Sequence, residues 1–530
     1  MAIADTLLNW ILRGIFLLFG VGAAIALLRW TAAFFRDRRE KWAQRIAIGM
    51  ILLAIVYAAG HARLLMKAEE LEAGRLRYAK YGDPRMAELN RAELRGWMLD
   101  CTGEDANALA RYGVQDGEVS RVYPLGEAGA NFIGGGTGAS ERDYTVERLF
   151  TRELREPRTF GEQGELHPAG TDRQFTLCAG PTRQAWTLLE QTGRQGVIVV
   201  QDVRTGALVA YAATGRAEEA PYGIKRYAIP GSVFKLAWSA IWWDSGQRDE
   251  RWPCPPQVMV GSRPIRNFES HEYASLSVPH GMLVVSCNTQ AINMAFELRR
   301  RIGPQAVNDA MRRFGFAPYS GENPEAEDDF WNTENERWKE RMTPPPARIK
   351  LRERYNAFEY AQTSIGQGPV DVTPIAVSRF LQAIGNGGTM LPVTFEADRM
   401  KEIPEGRQIM QPTTTLKLQR AMLATVDSGT AVRAIPILQG SGWDMGGKTG
   451  TADVARGRVP DGWFAGLMFG PDGRPKYTVV VYVANGGQGG RIAAPMAATM
   501  TRYMATMHAE QAAQETQRTA MSEPKPEGGR

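Results

Sequence analysis

Two apolar stretches lie close together at the start of the chain, Leu7 to Leu28, interrupted by Arg13, and Ile46 to Gly60, which carries no charge. Each is near the lower limit for spanning, since a helix needs roughly 20 apolar residues to cross hydrocarbon. The pattern predicts two membrane helices, with Arg13, Arg45 and His61 placed to snorkel toward the interface. The loop between them, Arg29 to Arg45, holds Arg36, Arg38, Arg39 and Lys41. The positive-inside rule assigns that loop to the cytoplasm and everything after Gly60 to the outer side, whether or not the first stretch spans. A cleaved signal peptide fits less well, because the second stretch would be unexplained and no small-residue cleavage site follows.

Beyond the anchor (1–64) the pattern changes several times. Residues 65–81 are polar and helix-prone, a stalk, and from about Asn90 to Thr182 short apolar runs broken by glycine predict a small β-containing module. Gly134 to Gly138 lacks the Lys and Ser/Thr of a phosphate loop and reads as a turn. Val197 to Val200, a turn at Arg204-Thr205-Gly206 and Leu208 to Ala212 make a hairpin. Helical periodicity follows at Ser232 to Trp243 and Asn288 to Arg300, and the charged, proline-rich stretch from Pro318 to Arg354 reads as a surface insertion. Strands return at Met445 to Asp453, Trp463 to Met468 and Tyr477 to Asn485, with a last helix from about Ala494 and a polar tail, 510–530, expected to be disordered. Strands, helices, then strands give a sheet with helices packed on it: an α+β domain over 183–509, following a 65–182 stalk and pedestal module.

Composition narrows the function classes. With 44% hydrophobic and 23% charged residues and a net charge of +5 over 530 residues, the chain is a folded protein without the basic surplus that would indicate nucleic acid. Cys101, Cys178, Cys254 and Cys287 form no C-x-x-C pair, and the five histidines do not join them at ligand spacing, so no metal site is expected. In an extracytoplasmic domain one disulfide is open to these cysteines, as are four separate buried thiols.

Three short motifs carry chemistry. In Ser232-Val233-Phe234-Lys235, the spacing at a helix start puts serine and lysine on one face, one turn apart. A desolvated lysine near other cations can lose its proton at neutral pH and accept one from serine. In Ser286-Cys287-Asn288, a hydroxyl and an amide two residues apart face one cleft from a turn; the bland alternative is a helix cap. In Lys448-Thr449-Gly450-Thr451, a strand edge offers a cation and hydroxyls to a carboxylate, and glycine admits a substrate backbone; the bland alternative is a solvated surface lysine. Each pattern is common alone. Their joint occurrence in this order belongs to one acyl-transfer mechanism.

At these residues the chain resembles the penicillin-binding transpeptidases, in particular the class B, monofunctional members. The likeness extends to Arg95-Gly96 through Asp100-Cys101-Thr102-Gly103, similar to the family's pedestal signature with cysteine in place of an arginine. It also takes in Arg121 to Ile133-Gly134, Ile365-Gly366-Gln367-Gly368 with Thr373-Pro374, and Trp463-Phe464-Ala465-Gly466. It covers roughly Asn90 to Thr501. The resemblance implies a penicillin-binding/serine-β-lactamase-like domain, a central antiparallel sheet flanked by helices, on a small pedestal. It implies Ser232 as the acylated nucleophile and Lys235 as its base, with Ser286 relaying a proton to the leaving amine and Asn288 orienting Lys235. Lys448, Thr449, Gly450 and Thr451 line the substrate site, and the backbone N–H groups of Ser232 and Thr451 form the oxyanion hole. It implies stem peptides as substrate, β-lactams as inhibitors, no metal or cofactor, and a polytopic glycan-polymerising glycosyltransferase as membrane partner. By the family analogy the Cys101 block sits near the segment holding Cys178, so the resemblance also implies a Cys101–Cys178 bridge.

About 120 residues between anchor and catalytic module are too few for a second, glycan-polymerising domain. A D,D-carboxypeptidase shares all three motifs and differs only in the deacylating nucleophile. A β-lactam sensor or non-catalytic scaffold is the reading from another class; complete motifs argue against the latter, and the short Arg29 to Arg45 loop leaves no room for a sensor's signalling module.

Overall fold

In the computed structural model the described residues are 95–115, 118–134, 145–150, 154, 157–160, 165–215, 228–318, 347–349, 356–395, 397, 405–455 and 457–522, with 25–26, 29, 48–60 and 63 near the N-terminus. The chain divides into two units, Met1–Ala87 and Glu88–Arg530. In the first, Ile48–Gly60 is an apolar helix with Leu52, Leu53, Ile55 and Val56 exposed. Among the described residues no single helix is long and apolar enough to cross a membrane. Most of the first apolar stretch and the whole predicted stalk, 65–81, lie outside the described residues.

The second unit begins with short strand pairs, as its broken apolar pattern predicts. Arg111–Gln115 pairs antiparallel with Glu118–Val122, Pro157–Phe160 with Glu165–Gly170, and Met98–Leu99 runs parallel to Arg173–Gln174. A buried carboxylate organises this module: Glu147 lies 3.2 Å from Arg95 and 3.0 Å from Arg121 and accepts a hydrogen bond from Tyr123. Burial, and second the Glu147 carboxylate beside it, push the Tyr123 hydroxyl well above its ordinary pKa.

Helix α1 (Ala179–Glu190) leads into strands β1 (Gly196–Asp202) and β2 (Leu208–Thr214). Asp100 caps α1 from a distance, accepting from Ala179 N at 3.1 Å, and Cys101–Cys178 form a disulfide at the same junction. Where the family signature carries an arginine, this chain therefore has a covalent tie to the catalytic module.

Next come a short helical turn, Gly231–Phe234, and helices α2 (Lys235–Asp244), α3 (His280–Val285), α4 (Asn288–Arg313), α5 (Ala357–Ser364), α6 (Pro374–Gly385) and α7 (Pro412–Asp427). Strands β3 (Asp444–Ala452), β4 (Asp461–Phe469) and β5 (Pro475–Val483) and helix α8 (Ala493–Ser522) complete the unit. The five strands form one antiparallel sheet in the order β3-β4-β5-β1-β2, joining the two strand-rich ends of the sequence. Both faces are covered, which explains why the strands read as continuous apolar runs. On β1 and β5, Ile198, Val200, Val479, Val481 and Val483 pack toward α1 and α8. Val197, Val199, Val480 and Tyr482 point the other way, into the cluster holding Trp238 and Ile384. Helix α2 is buried all round from Lys235 to Trp243, as expected of a helix apolar on every side.

Three expectations change. The helix predicted from Ser232 opens with a 3-10 turn and becomes α-helical only at Lys235; in such a turn residues i and i+3 eclipse, which brings Ser232 and Lys235 into line along one edge. Within the predicted surface insertion, Ala347–Ile349 adds to a small sheet between Phe316–Pro318 and Val370–Asp371; most of the rest lies outside the described residues. The tail expected to be disordered from 510 is helical through Ser522, because its Ala, Glu and Gln content sustains α8 for three more turns.

Candidate active site

The three motifs converge at the open edge of β3. Among the described residues, strand β3 bonds on one side only, to β4. Its other edge meets the Pro230-Gly231-Ser232 turn: a Cβ on Gly450 would lie 2.7 Å from Pro230 O, and one on Gly231 would lie 2.6 Å from Thr451 O. Gly231 takes φ +56, a left-handed conformation that favours glycine. Gly231 N donates to Gly366 O at 2.8 Å, and Gln367 Nε2 donates to Thr451 O at 3.2 Å. A strand residue sends its N–H and C=O to the same edge. With its carbonyl turned to Gln367, Thr451 therefore presents its N–H to the edge where half-buried Ser232 sits.

Behind Ser232, Lys235 is fully buried. Its Nζ lies 2.8 Å from Ser286 O, 2.7 Å from Asn288 Oδ1 and 3.3 Å from Ser286 Oγ. A carbonyl and an amide oxygen only accept, so two lysine hydrogens are committed to them. In the neutral amine this leaves one lone pair free to take a proton. Burial, and second the like charge of Lys448, hold the Lys235 amine well below the usual lysine range. Lys448 is itself fully buried, contrary to the bland reading of a surface lysine, and burial brings it down to about 7. Its Nζ donates to Thr449 O at 3.0 Å, and Thr449 Oγ1 shares a 2.6 Å hydrogen bond with Thr430 Oγ1.

Ser286 ends α3 in a left-handed conformation, φ 60 and ψ 39. That uncommon geometry for a residue with a side chain turns both its oxygens toward Lys235. Cys287 caps α4, its sulfur accepting from Gln290 N, so the helix-cap alternative and the functional one describe the same turn. Cys287 is also disulfide-bonded to Cys254. The sequence left room for one bridge; the structure has two.

All eight predicted site residues, Ser232, Lys235, Ser286, Asn288, Lys448, Thr449, Gly450 and Thr451, thus belong to one constellation. Sequence reasoning missed the Cys254–Cys287 bridge, Thr430 and Asn267. Gln367 lay in a recognised block without a role; here its amide braces Thr451. Buried Asn267, which accepts from Asn288 N, and the Thr430 hydroxyl become meaningful only once distant strands and helices are assembled, and no spacing rule marks them.

Comparison with known proteins agrees with this geometry. Residues 196–502 match the family model described as the penicillin binding protein transpeptidase domain. The chain is 27% identical over 324 residues to the probable peptidoglycan D,D-transpeptidase PenA of Neisseria meningitidis, covering 57% of this chain and 50% of that protein. It is 24% identical over 462 residues to the probable peptidoglycan D,D-transpeptidase FtsI of Caulobacter vibrioides, covering 79% of this chain and 66% of the relative. The chain thus spans about half the length of the PenA proteins it matches, 50% in each case. The crystal structure of PBPA from Mycobacterium tuberculosis shares the fold with a TM-score of 0.61 at 20% identity, covering 78% of this chain and all of that one (100%). The imipenem acyl-enzyme complex of penicillin-binding protein A from M. tuberculosis gives 0.62 at 21% identity, covering 79% and 100%.

Proposed function

The chain belongs to the penicillin-binding protein transpeptidase domain family, and on that premise we propose that it is a peptidoglycan D,D-transpeptidase working through an acyl-Ser232 intermediate. The observation that carries this reading is the buried Lys235 amine, held by Ser286 O and Asn288 Oδ1 and kept from its proton by burial and by Lys448.

In this reading Ser232 Oγ attacks the carbonyl of the penultimate D-alanine of a stem peptide while Lys235 Nζ takes the hydroxyl proton. The backbone N–H groups of Ser232 and Thr451 hold the oxyanion. Ser286 passes the proton to the departing D-alanine amine as the C–N bond breaks, and the acyl group stays on Ser232. Lys448, Thr449 and Thr451 hold the terminal carboxylate, and Gly450 admits the substrate backbone. The amine of a second stem peptide then attacks the ester, freeing Ser232 and forming the cross-link. β-Lactams acylate the same hydroxyl.

The catalytic module works outside the cytoplasm, anchored by the N-terminal apolar segments. Two disulfides, Cys101–Cys178 and Cys254–Cys287, support an oxidising compartment. A polytopic glycan-polymerising glycosyltransferase is the membrane partner in this reading. Labelled penicillin tests the core of it: the wild type becomes covalently labelled and Ser232→Ala does not, and equal labelling of both would defeat the assignment.

A further inference from the structure

Asn288 orients Lys235, and something must in turn orient Asn288. Its amide has two ends, and only one arrangement lets Oδ1 face Lys235 Nζ at 2.7 Å. The other end donates from Nδ2 to Arg266 O at 2.9 Å, and a carbonyl oxygen cannot accept from Oδ1, so Arg266 fixes which way the amide points. The next residue, Asn267, holds the backbone. Its Oδ1 accepts from Asn288 N at 2.9 Å and Thr289 N at 3.2 Å, the first two N–H groups of α4, which have no partner inside the helix. Its Nδ2 donates to Pro255 O at 2.8 Å and His271 O at 2.9 Å, so the buried side chain is fully bonded. The Cys254–Cys287 disulfide ties the neighbouring strand, Glu250–Cys254, to the same turn.

From this arrangement we propose that Asn267 is a positioning residue for acylation: it caps α4 from a distant segment, holds the Ser286-Cys287-Asn288 turn in register, and thereby aims the Asn288 amide and Ser286 carbonyl at Lys235. The proposal rests on the acyl-Ser232 reading. It separates into a hydrogen-bonded element, Asn267, and a covalent one, the disulfide, that act on one turn.

The experiment compares wild type, Asn267→Ala, Asn267→Asp and Ser277→Ala as full chains in detergent, measuring the rate of covalent labelling by a fluorescent penicillin across concentration and pH. Ser277 caps the start of α3 through Gly281 N at 2.9 Å, so its removal deletes a comparable side-chain-to-backbone hydrogen bond away from the Ser286-Cys287-Asn288 turn. Endpoint labelling counts the folded enzyme. Asn267→Ala is expected to label to completion but roughly 10- to 100-fold more slowly at saturation, with the half-saturating concentration unchanged. Ser277→Ala keeps the wild-type rate. Among the described residues, the titratable groups facing Lys235 are Lys448 on β3 and His271 beside Asn267. Asn267→Asp keeps the accepting oxygen and adds negative charge to that group, so the low-pH limb of acylation moves to higher pH. This variant reads the coupling even if the alanine variant does not fold. Wild-type rates in folded Asn267→Ala, or an unmoved limb in Asn267→Asp, would overturn the proposal. Undiminished labelling of Ser232→Ala would instead overturn the underlying mechanism.

Discussion

Gly231 is the position where one added methyl group should separate catalysis from stability. Two features oppose it. At φ +56 an L side chain costs roughly 1–2 kcal/mol. The new Cβ would also stand 2.6 Å from Thr451 O and 3.1 Å from Thr451 N, inside ordinary contact distance. The turn has nowhere to retreat, since it is braced from behind by Gly366, where even a Cβ would fall 1.9 Å from Gly231 O. Relief must therefore open the slot between Ser232 and Thr451 by about half an ångström. Overpacking adds roughly 1–3 kcal/mol, so in a unit of this size (Glu88–Arg530) the melting temperature should fall by about 2–6 °C. The same displacement parts the two N–H groups assigned to the oxyanion, which should slow acylation by about 10²-fold. Stopped-flow labelling with a fluorescent penicillin, alongside thermal melts, measures both for Gly231→Ala. A lowered melting temperature with acylation within about threefold of wild type would refute the claim that this contact sets the slot.

Three further outcomes follow. Lys448→Gln removes a like charge from beside Lys235, so the Lys235 pKa rises and the neutral amine forms only at higher pH; the low-pH limb of acylation should shift upward, and an unchanged limb would contradict the coupling. Thiol counting on the unfolded, unreduced chain should find none, and four after reduction, whereas any free thiol beforehand would exclude the pairing of Cys101 with Cys178 and Cys254 with Cys287. Glu147→Ala leaves Arg95 and Arg121 without their buried carboxylate and should destabilise the N-terminal module by about 3–5 kcal/mol in melts, with penicillin acylation retained.

Much of this was legible in the linear sequence because the relevant signals are local. S-x-x-K, S-x-N and K-T-G each place two or more functional groups within one turn or one strand, and the apolar runs of β1, β4 and β5 are bounded by turn residues that punctuate them. What stayed hidden depends on chain segments far apart. Asn267 meets Asn288 across 21 positions, Cys254 meets Cys287 across 33, and Gln367 reaches Thr451 across 84. The 3-10 start at Gly231 and the left-handed Ser286 were illegible for another reason: surrounding packing, not residue preference, selects both conformations. Residues 510–522 are helical where polarity predicts disorder, because helix propensity carries on an already buried helix.

The central claim is acyl transfer through Ser232 to an amine. Its most direct measurement is product analysis by mass spectrometry after incubating the full chain with a donor stem peptide ending in D-Ala-D-Ala and an amine acceptor. The account predicts a cross-linked product with release of D-alanine, lost in Ser232→Ala and suppressed by penicillin. Release of D-alanine with only hydrolysed donor would contradict transfer to an amine, and product formation by Ser232→Ala would contradict the mechanism itself.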